Sequence, residues 1–184
     1  MYKKNVLMLL SLVALSSLHA ADIDGRIEQG EYPSSQILKK DVFTLHWRVD
    51  GDRIHMAIEA TSRGWVAVGF DPEAVMSKSD MIFGFVGTDG RTTAMDAWST
   101  GMFGPHPADT DQGGSNDILA YAGARTGDKV VFEFTRLLDT KDRSDKIIAM
   151  DKAMKVIWAT GPDGTSTSRH DKVGSAKVAF GGTK

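Results

Sequence analysis

Val42-Phe-Thr-Leu-His-Trp-Arg-Val49, then Asp50-Gly51, then Arg53-Ile-His-Met-Ala-Ile-Glu-Ala60 is the stretch that decides the fold. Phe43, Leu45, Trp47 and Val49 alternate with Thr44, His46 and Arg48, and Ile54, Met56, Ile58 and Ala60 repeat the period of two after the break. That period belongs to strands with one buried face, and Asp-Gly between two such runs is a hairpin turn. Working outward, Gly64–Phe70 and Met81–Val86 are nearly continuous apolar strands, the second ending at Thr88-Asp89-Gly90. Thr92–Trp98, Ile118–Ala124, Lys129–Thr135, Lys155–Thr160 and Ala176–Phe180 complete the strand set, and residues 21–40 read as a polar lead-in. Helical character is confined to short turns near Pro72–Met76 and Ser144–Met150. Short, evenly spaced strands with no βαβ unit predict an all-β, immunoglobulin-like β-sandwich.

The first twenty residues have the pattern of a secretory signal peptide: Lys3 and Lys4, an apolar run Val6–Leu15, then Ser-Ser-Leu-His-Ala, with cleavage expected near Ala20. The run is too short to span a bilayer comfortably, and no stable membrane insertion is expected. Residues 21–184 then form a single domain, large enough for a real core. Its charge falls from the −2 of the whole chain to −4 when the two signal lysines leave, which argues against a nucleic-acid partner. The chain has no cysteine, so neither a disulfide framework, a thiolate zinc site nor a thioether-linked haem is open to it. An exported destination, periplasmic or secreted, follows from the signal pattern.

Two polar loops that interrupt apolar strands hold the residues of chemical interest. Met76 follows Phe70-Asp71-Pro72 and is flanked by Glu73, Ser77, Lys78 and Ser79, a placement that suits a ligand at a pocket rim better than a core methionine. His170 lies between Arg169 and Asp171 after Val156-Ile-Trp-Ala-Thr-Gly161. A thioether and an imidazole are a recurrent axial pair for haem iron. Met81 opens a strand and reads as core. Asp109-x-Asp111 starts like a calcium loop, but Ala120 stands where the bidentate twelfth-position glutamate belongs, so an Asx- and glycine-rich turn is expected. Asp139, Asp142 and Asp145 read as a solvated turn, and no catalytic set emerges.

The ordered series Gly64-Trp-Val-Ala-Val-Gly-Phe70, Met76-Ser-Lys-Ser-Asp-Met81, Asp96-Ala-Trp98, Asp109–Asp117, Phe132–Thr140, Val156–Gly161 and Arg169-His170 resembles the DOMON domain family. The resemblance runs from about residue 35 to residue 180. It implies a β-sandwich that in some members, such as the cytochrome domain of cellobiose dehydrogenase, binds haem b between a methionine and a histidine. Those positions match Met76 and His170. Lys172 is a lesser candidate, because related haem subunits place a lysine opposite methionine. Trp65, Phe70, Phe83, Trp98, Met102, Phe103 and Trp158 are candidates to wall the haem, though Trp65 and Trp158 read more readily as sandwich core. Arg169 or Lys78 would pair with propionates, and Asp171 is a candidate acceptor for the second nitrogen of His170. The implied role is electron transfer without catalysis by the domain itself. Its redox partner would be a membrane cytochrome or a periplasmic oxidoreductase. The alternatives are a haem-free module binding a carbohydrate or other small ligand, and an accessory subunit of an exported oxidoreductase.

Overall fold

A computed structural model describes residues 21–162 and 169–181, so the expected signal peptide lies outside the described residues. Among the described residues, ten strands form two five-stranded antiparallel sheets. The first sheet has the order β1 (Ser34–Lys39), β2 (Phe43–Asp50), β3 (Arg53–Thr61), β8 (Lys129–Leu137), β7 (Ala120–Thr126). The second has the order β10 (Lys172–Val178), β9 (Met154–Thr160), β4 (Trp65–Phe70), β5 (Asp80–Val86), β6 (Thr92–Trp98). The hairpin read from Asp50-Gly51 is present, with Asp50 opposite Arg53 and Leu45 opposite Ile58. Among the described residues there is no α-helix. The expected helical turns at Pro72–Met76 and Ser144–Met150 are loop, and the single helical element is a 3-10 turn, Asp109–Gln112.

The core lies between the sheets. Phe43, Leu45, Trp47, Met56, Ile58, Phe132 and Phe134 of the first sheet meet Val66, Val68, Phe70, Ile82, Val156 and Trp158 of the second. Burial of this apolar surface, at roughly 25 cal/mol per Å², is the main force that holds the layers together. Aromatic pairs knit the seam, with Phe43 and Trp158 centroids 5.0 Å apart and Trp47 and Phe180 5.5 Å apart. Gly84 is needed at the seam, because a Cβ there would sit 2.3 Å from the Phe132 ring.

Residues 21–40 are more structured than a polar lead-in. β1 is an edge strand, and the segment before it is tied to β8 by one carboxylate. Glu133 accepts backbone N–H bonds from Asp24 at 3.1 Å, Gly25 at 2.6 Å and Arg26 at 3.1 Å, and the Tyr32 hydroxyl at 2.6 Å. β10 also begins earlier than expected, at Lys172, which is therefore a strand residue rather than a loop residue.

Candidate functional site

The second sheet is apolar on both faces, and this sets the site. β4 is buried at every position from Trp65 to Phe70. Side chains alternate, so Val66, Val68 and Phe70 enter the core while Trp65 and Ala67 point outward. On the outer face Trp65, Ala67, Met81, Phe83 and Ala97 form a second apolar cluster, with Met76, Phe85, Met95, Ile157 and Ala159 packed against it. A two-layer sandwich leaves such a face to solvent unless something covers it. Here the cover comes from loops.

The loop of residues 71–79 places Met76 against the cluster. It is cross-braced by Glu73 N–H to Ser77 O at 3.0 Å and Ser79 N–H to Met76 O at 3.1 Å. It is also stitched to the next loop, with Lys78 N–H donating to Ser99 O at 2.9 Å and Ser99 N–H to Ser79 O at 3.0 Å. Val75 has φ 51°, an unfavourable left-handed conformation for a β-branched residue. Strain of this kind persists where surrounding structure fixes it, and it is concentrated at ligand clamps. The loop of residues 99–107 follows β6. It brings the His106 ring to 6.2 Å from Phe83, and exposes Met102 and Phe103. Nδ1 of His106 is buried without a hydrogen-bond partner.

His170 enters from the other end of the strands. Phe70 pairs with Asp80, so the Met76 loop lies at that end; Thr160 pairs with both Val66 and Lys172, so the loop carrying His170 lies at the end of Trp65. That loop is pinned at its base by Asp171 N–H to Thr160 O at 2.7 Å and Gly161 N–H to Trp65 O at 2.9 Å. Gly161 is obligatory, because a Cβ would sit 2.0 Å from the Trp65 indole. Burial lowers the pKa of His106, and the charge of His170 lowers it further. A shallow cavity of about 210 Å³, lined by Trp65, Phe85, Arg91 and Thr93 among others, opens at this end.

The structure sorts the expected site residues. Trp65 and Phe83 lie on the outer face with Met76 beside them. Trp65 is thus not sandwich core, unlike Trp158; Met81, read as core, is also on the outer face. Phe70 cannot wall that face, because strand alternation turns it inward, where it is fully buried. Trp98 shares the parity of Ala94 and Asp96, and lies under the Lys146 ammonium at 5.4 Å instead of joining the outer cluster. Met102, Phe103 and Arg169 are exposed. Asp171 is not spare for His170; it takes a bidentate bond from Arg63, at 3.0 Å from Nη2 and 3.3 Å from Nε. Lys78 pairs with Glu73 at 3.0 Å. His106, between Pro105 and Pro107, sits in a loop that sequence alone leaves free to reach over a pocket or to do nothing, and the structure sets its ring 6.2 Å from Phe83.

A second polar cluster closes the Met76 end of the molecule. Arg136, only 1% exposed, donates to Asp80 Oδ2 at 2.6 Å and to Asp145 Oδ2 at 3.1 Å. Asp80 Oδ2 also accepts Lys146 N–H at 2.9 Å, and Asp96 Oδ2 accepts Asp117 N–H at 2.8 Å. Asp145 is therefore no solvated-turn residue. Burial, reinforced by the neighbouring carboxylates, pushes Asp96 up to about 8, Asp109 to about 7 and Asp145 to about 6. Unfolded carboxyls titrate near ~3.9, so the folded state holds these protons more tightly. The stability they contribute is complete below that value and is lost as pH rises through the folded values. Histidine contributions level off within about a unit above 6.5, the unfolded value, because burial has lowered His46, His55 and His106. In EDTA the urea midpoint is therefore expected to fall between about pH 7.5 and about pH 8.5, and a midpoint that rises across this window contradicts the assignment.

The architecture is a two-sheet β-sandwich whose second sheet carries a covered apolar face, with a methionine loop at one end and a histidine loop at the other. Residues 39–161 match the DOMON domain, and the chain belongs to that family. In sequence it is 30% identical over 152 residues to DBH-like monooxygenase protein 1 of Mus musculus, covering 82% of this chain and 23% of that protein. It is 30% identical over 118 residues to MOXD1 homolog 2 of Drosophila melanogaster, covering 64% of this chain and 15% of that protein. The chain thus spans less than a quarter of the curated relatives it matches. In structure it is similar to the cytochrome b domain of pyranose dehydrogenase from Coprinopsis cinerea, with TM-score 0.60 and 13% identity over 79% of this chain and 80% of that one. It is also similar to the cytochrome domain of Myriococcum thermophilum cellobiose dehydrogenase, with TM-score 0.53 and 10% identity over 78% and 79% of the two chains. These likenesses establish the fold.

Proposed function

We propose that this domain is an exported b-type cytochrome that carries electrons, with haem held on the outer face of the second sheet between Met76 and His170. The observation that supports the reading is the covered apolar face itself, with Met76 packed against the cluster that includes Trp65 and Phe83, and His106 beside Phe83. The residues fit the group. Trp65, Phe83, Met95 and Ile157 offer apolar surface to a porphyrin, Met76 a soft thioether and His170 an imidazole. Arg169 is exposed and available to a propionate. With no cysteine in the chain, retention rests on these contacts and on two axial bonds. Bound haem iron supplies one-electron redox chemistry, and methionine–histidine ligation raises its potential. The loop carrying Met102 and Phe103 is the cover that a bound porphyrin would share or displace, and its exposed apolar tip suits transient docking of a redox partner. That partner would be a membrane cytochrome or a periplasmic oxidoreductase.

The test is a pair of visible spectra of the purified chain, oxidised and dithionite-reduced. A Soret band with sharp reduced α and β bands is expected. A colourless protein that stays so after haem is supplied sinks the cytochrome and favours the haem-free module that binds a carbohydrate or other small ligand. The sequence relatives support a second placement: two are named as monooxygenases or their homologues and are far longer than this chain, so the domain would serve as the accessory part of an oxidoreductase. Co-purification with a catalytic subunit separates that placement from a free carrier.

A further inference from the structure

We propose that Asp80, Asp96 and Asp145, with Asp109 beside them, bind a calcium ion at the Met76 end of the sandwich. One carboxylate oxygen from each of Asp80, Asp96 and Asp145 lies within 4.8 Å of the others. Four separate segments supply the acids: the start of β5, the middle of β6, the 3-10 turn after β6, and the loop after β8.

Acidic residues gather on many surfaces, but these are not on the surface. Asp80 is 0% exposed, Asp96 3% and Asp109 1%, and the Asp145 side chain is 2% exposed. Each keeps at least one oxygen with no hydrogen-bond partner: Oδ1 of Asp80, Asp96 and Asp145, and both oxygens of Asp109. A buried carboxyl oxygen left unpaired is costly, and the single guanidinium, Arg136, bonds only Asp80 and Asp145 of the four acids. Lys146 does not make up the difference, since its ammonium lies over Trp98. The oxygens that are bonded, to Arg136 and to the N–H groups of Lys146 and Asp117, fix the carboxylates in place and leave the others for a cation.

The donor set is all oxygen, which selects a hard cation over zinc or copper. Several carboxylates in an irregular array from four segments suit calcium, which accepts six to eight oxygens in flexible geometry; magnesium demands near-ideal octahedra and retains waters. The site differs from a helix-loop-helix calcium loop, because its ligands are brought together by sheet register rather than by local spacing. Bound calcium would lock the origin of β5, immediately after the Met76 loop, to β6 and to the loop after β8.

The test is calorimetric titration of calcium chloride into the purified, EDTA-treated chain, together with thermal melts. One calcium per chain is expected, with the melting temperature raised by about 5–10 °C at roughly a hundredfold excess over Kd. Asp96→Asn and Asp109→Asn keep side-chain shape and should each weaken calcium binding by about tenfold or more. No binding and no thermal shift up to about 10 mM calcium would overturn the proposal. So would folded variants, both of which bind like the parent chain, or magnesium binding as tightly as calcium. Haem content is read separately from the spectrum, so failure here leaves the cytochrome reading standing.

Discussion

His170→Ala is expected to cost the domain most of the haem proposed for it. Nothing covalent holds the group, so retention depends on apolar contact and two axial bonds, of which the imidazole is the stronger. The haem-to-protein ratio after desalting should fall about tenfold or more, the loss of roughly 1.4 kcal/mol or more of binding. What remains should show the broadened, weaker reduced bands of iron that has lost a strong axial ligand. Met76→Ala should be milder in retention and clear in spectrum, because the histidine stays. Met76→His should keep the haem and lower the reduction potential by on the order of 100 mV, within the ~0.8 V that axial ligands span. His106 provides the internal competitor. It stands beside Phe83 with a buried, unpaired Nδ1. If His106→Ala loses haem and His170→Ala retains it with an unchanged spectrum, the ligand assignment is wrong while the face is right. His46→Ala serves as a control, since His46 lies on β2 of the other sheet, beside Glu59.

The parts of this molecule that could be read from sequence are those written in local period. Phe43-x-Leu45-x-Trp47 and Ile54-x-Met56-x-Ile58 announce two strands and their buried faces, and the structure pairs them in register. Edge strand β1 is harder to see, because Ser34–Lys39 has weak alternation and one of its two large apolar side chains, Ile37, is 66% exposed. The continuous run Trp65–Phe70 shows that both faces of its strand are covered, but not which side chain goes where. Neglect of that parity is what put Phe70 with Trp65 in one expected wall. Parity also holds the signal for the charged cluster. Asp80 lies two residues before Ile82, Asp96 two after Ala94 and Arg136 two after Phe134, each at a position where the strand's pattern calls for a core residue. A charge at a core position needs partners, and those partners come from loops whose sequence spacing records nothing of their meeting.

Arg136→Met is expected to be the most destabilising single change in the molecule, at about 3–5 kcal/mol. The guanidinium is buried and bridges two buried carboxylates, Asp80 and Asp145. Methionine fills similar volume, so little of the effect comes from packing. The penalty arises because two acids lose their only guanidinium partner in a place water does not reach. For a domain of this size the change amounts to a fall in melting temperature of about 10 °C or more. Two further measurements separate this cause from a general packing defect. First, without Arg136 the folded-state carboxyls move further above their unfolded value near ~3.9. They favour folding below that value and oppose it as pH rises through their folded range, so the deficit relative to the parent chain should be larger at about pH 8 than at about pH 5. Second, adding Asp80→Asn and Asp145→Asn to Arg136→Met removes the stranded charges, and should restore most of the lost stability even though three groups have now changed. A triple variant no more stable than Arg136→Met alone, with a deficit indifferent to pH, would mean that Arg136 acts through its shape and not its charge, and the electrostatic account of this end of the sandwich would have to be abandoned.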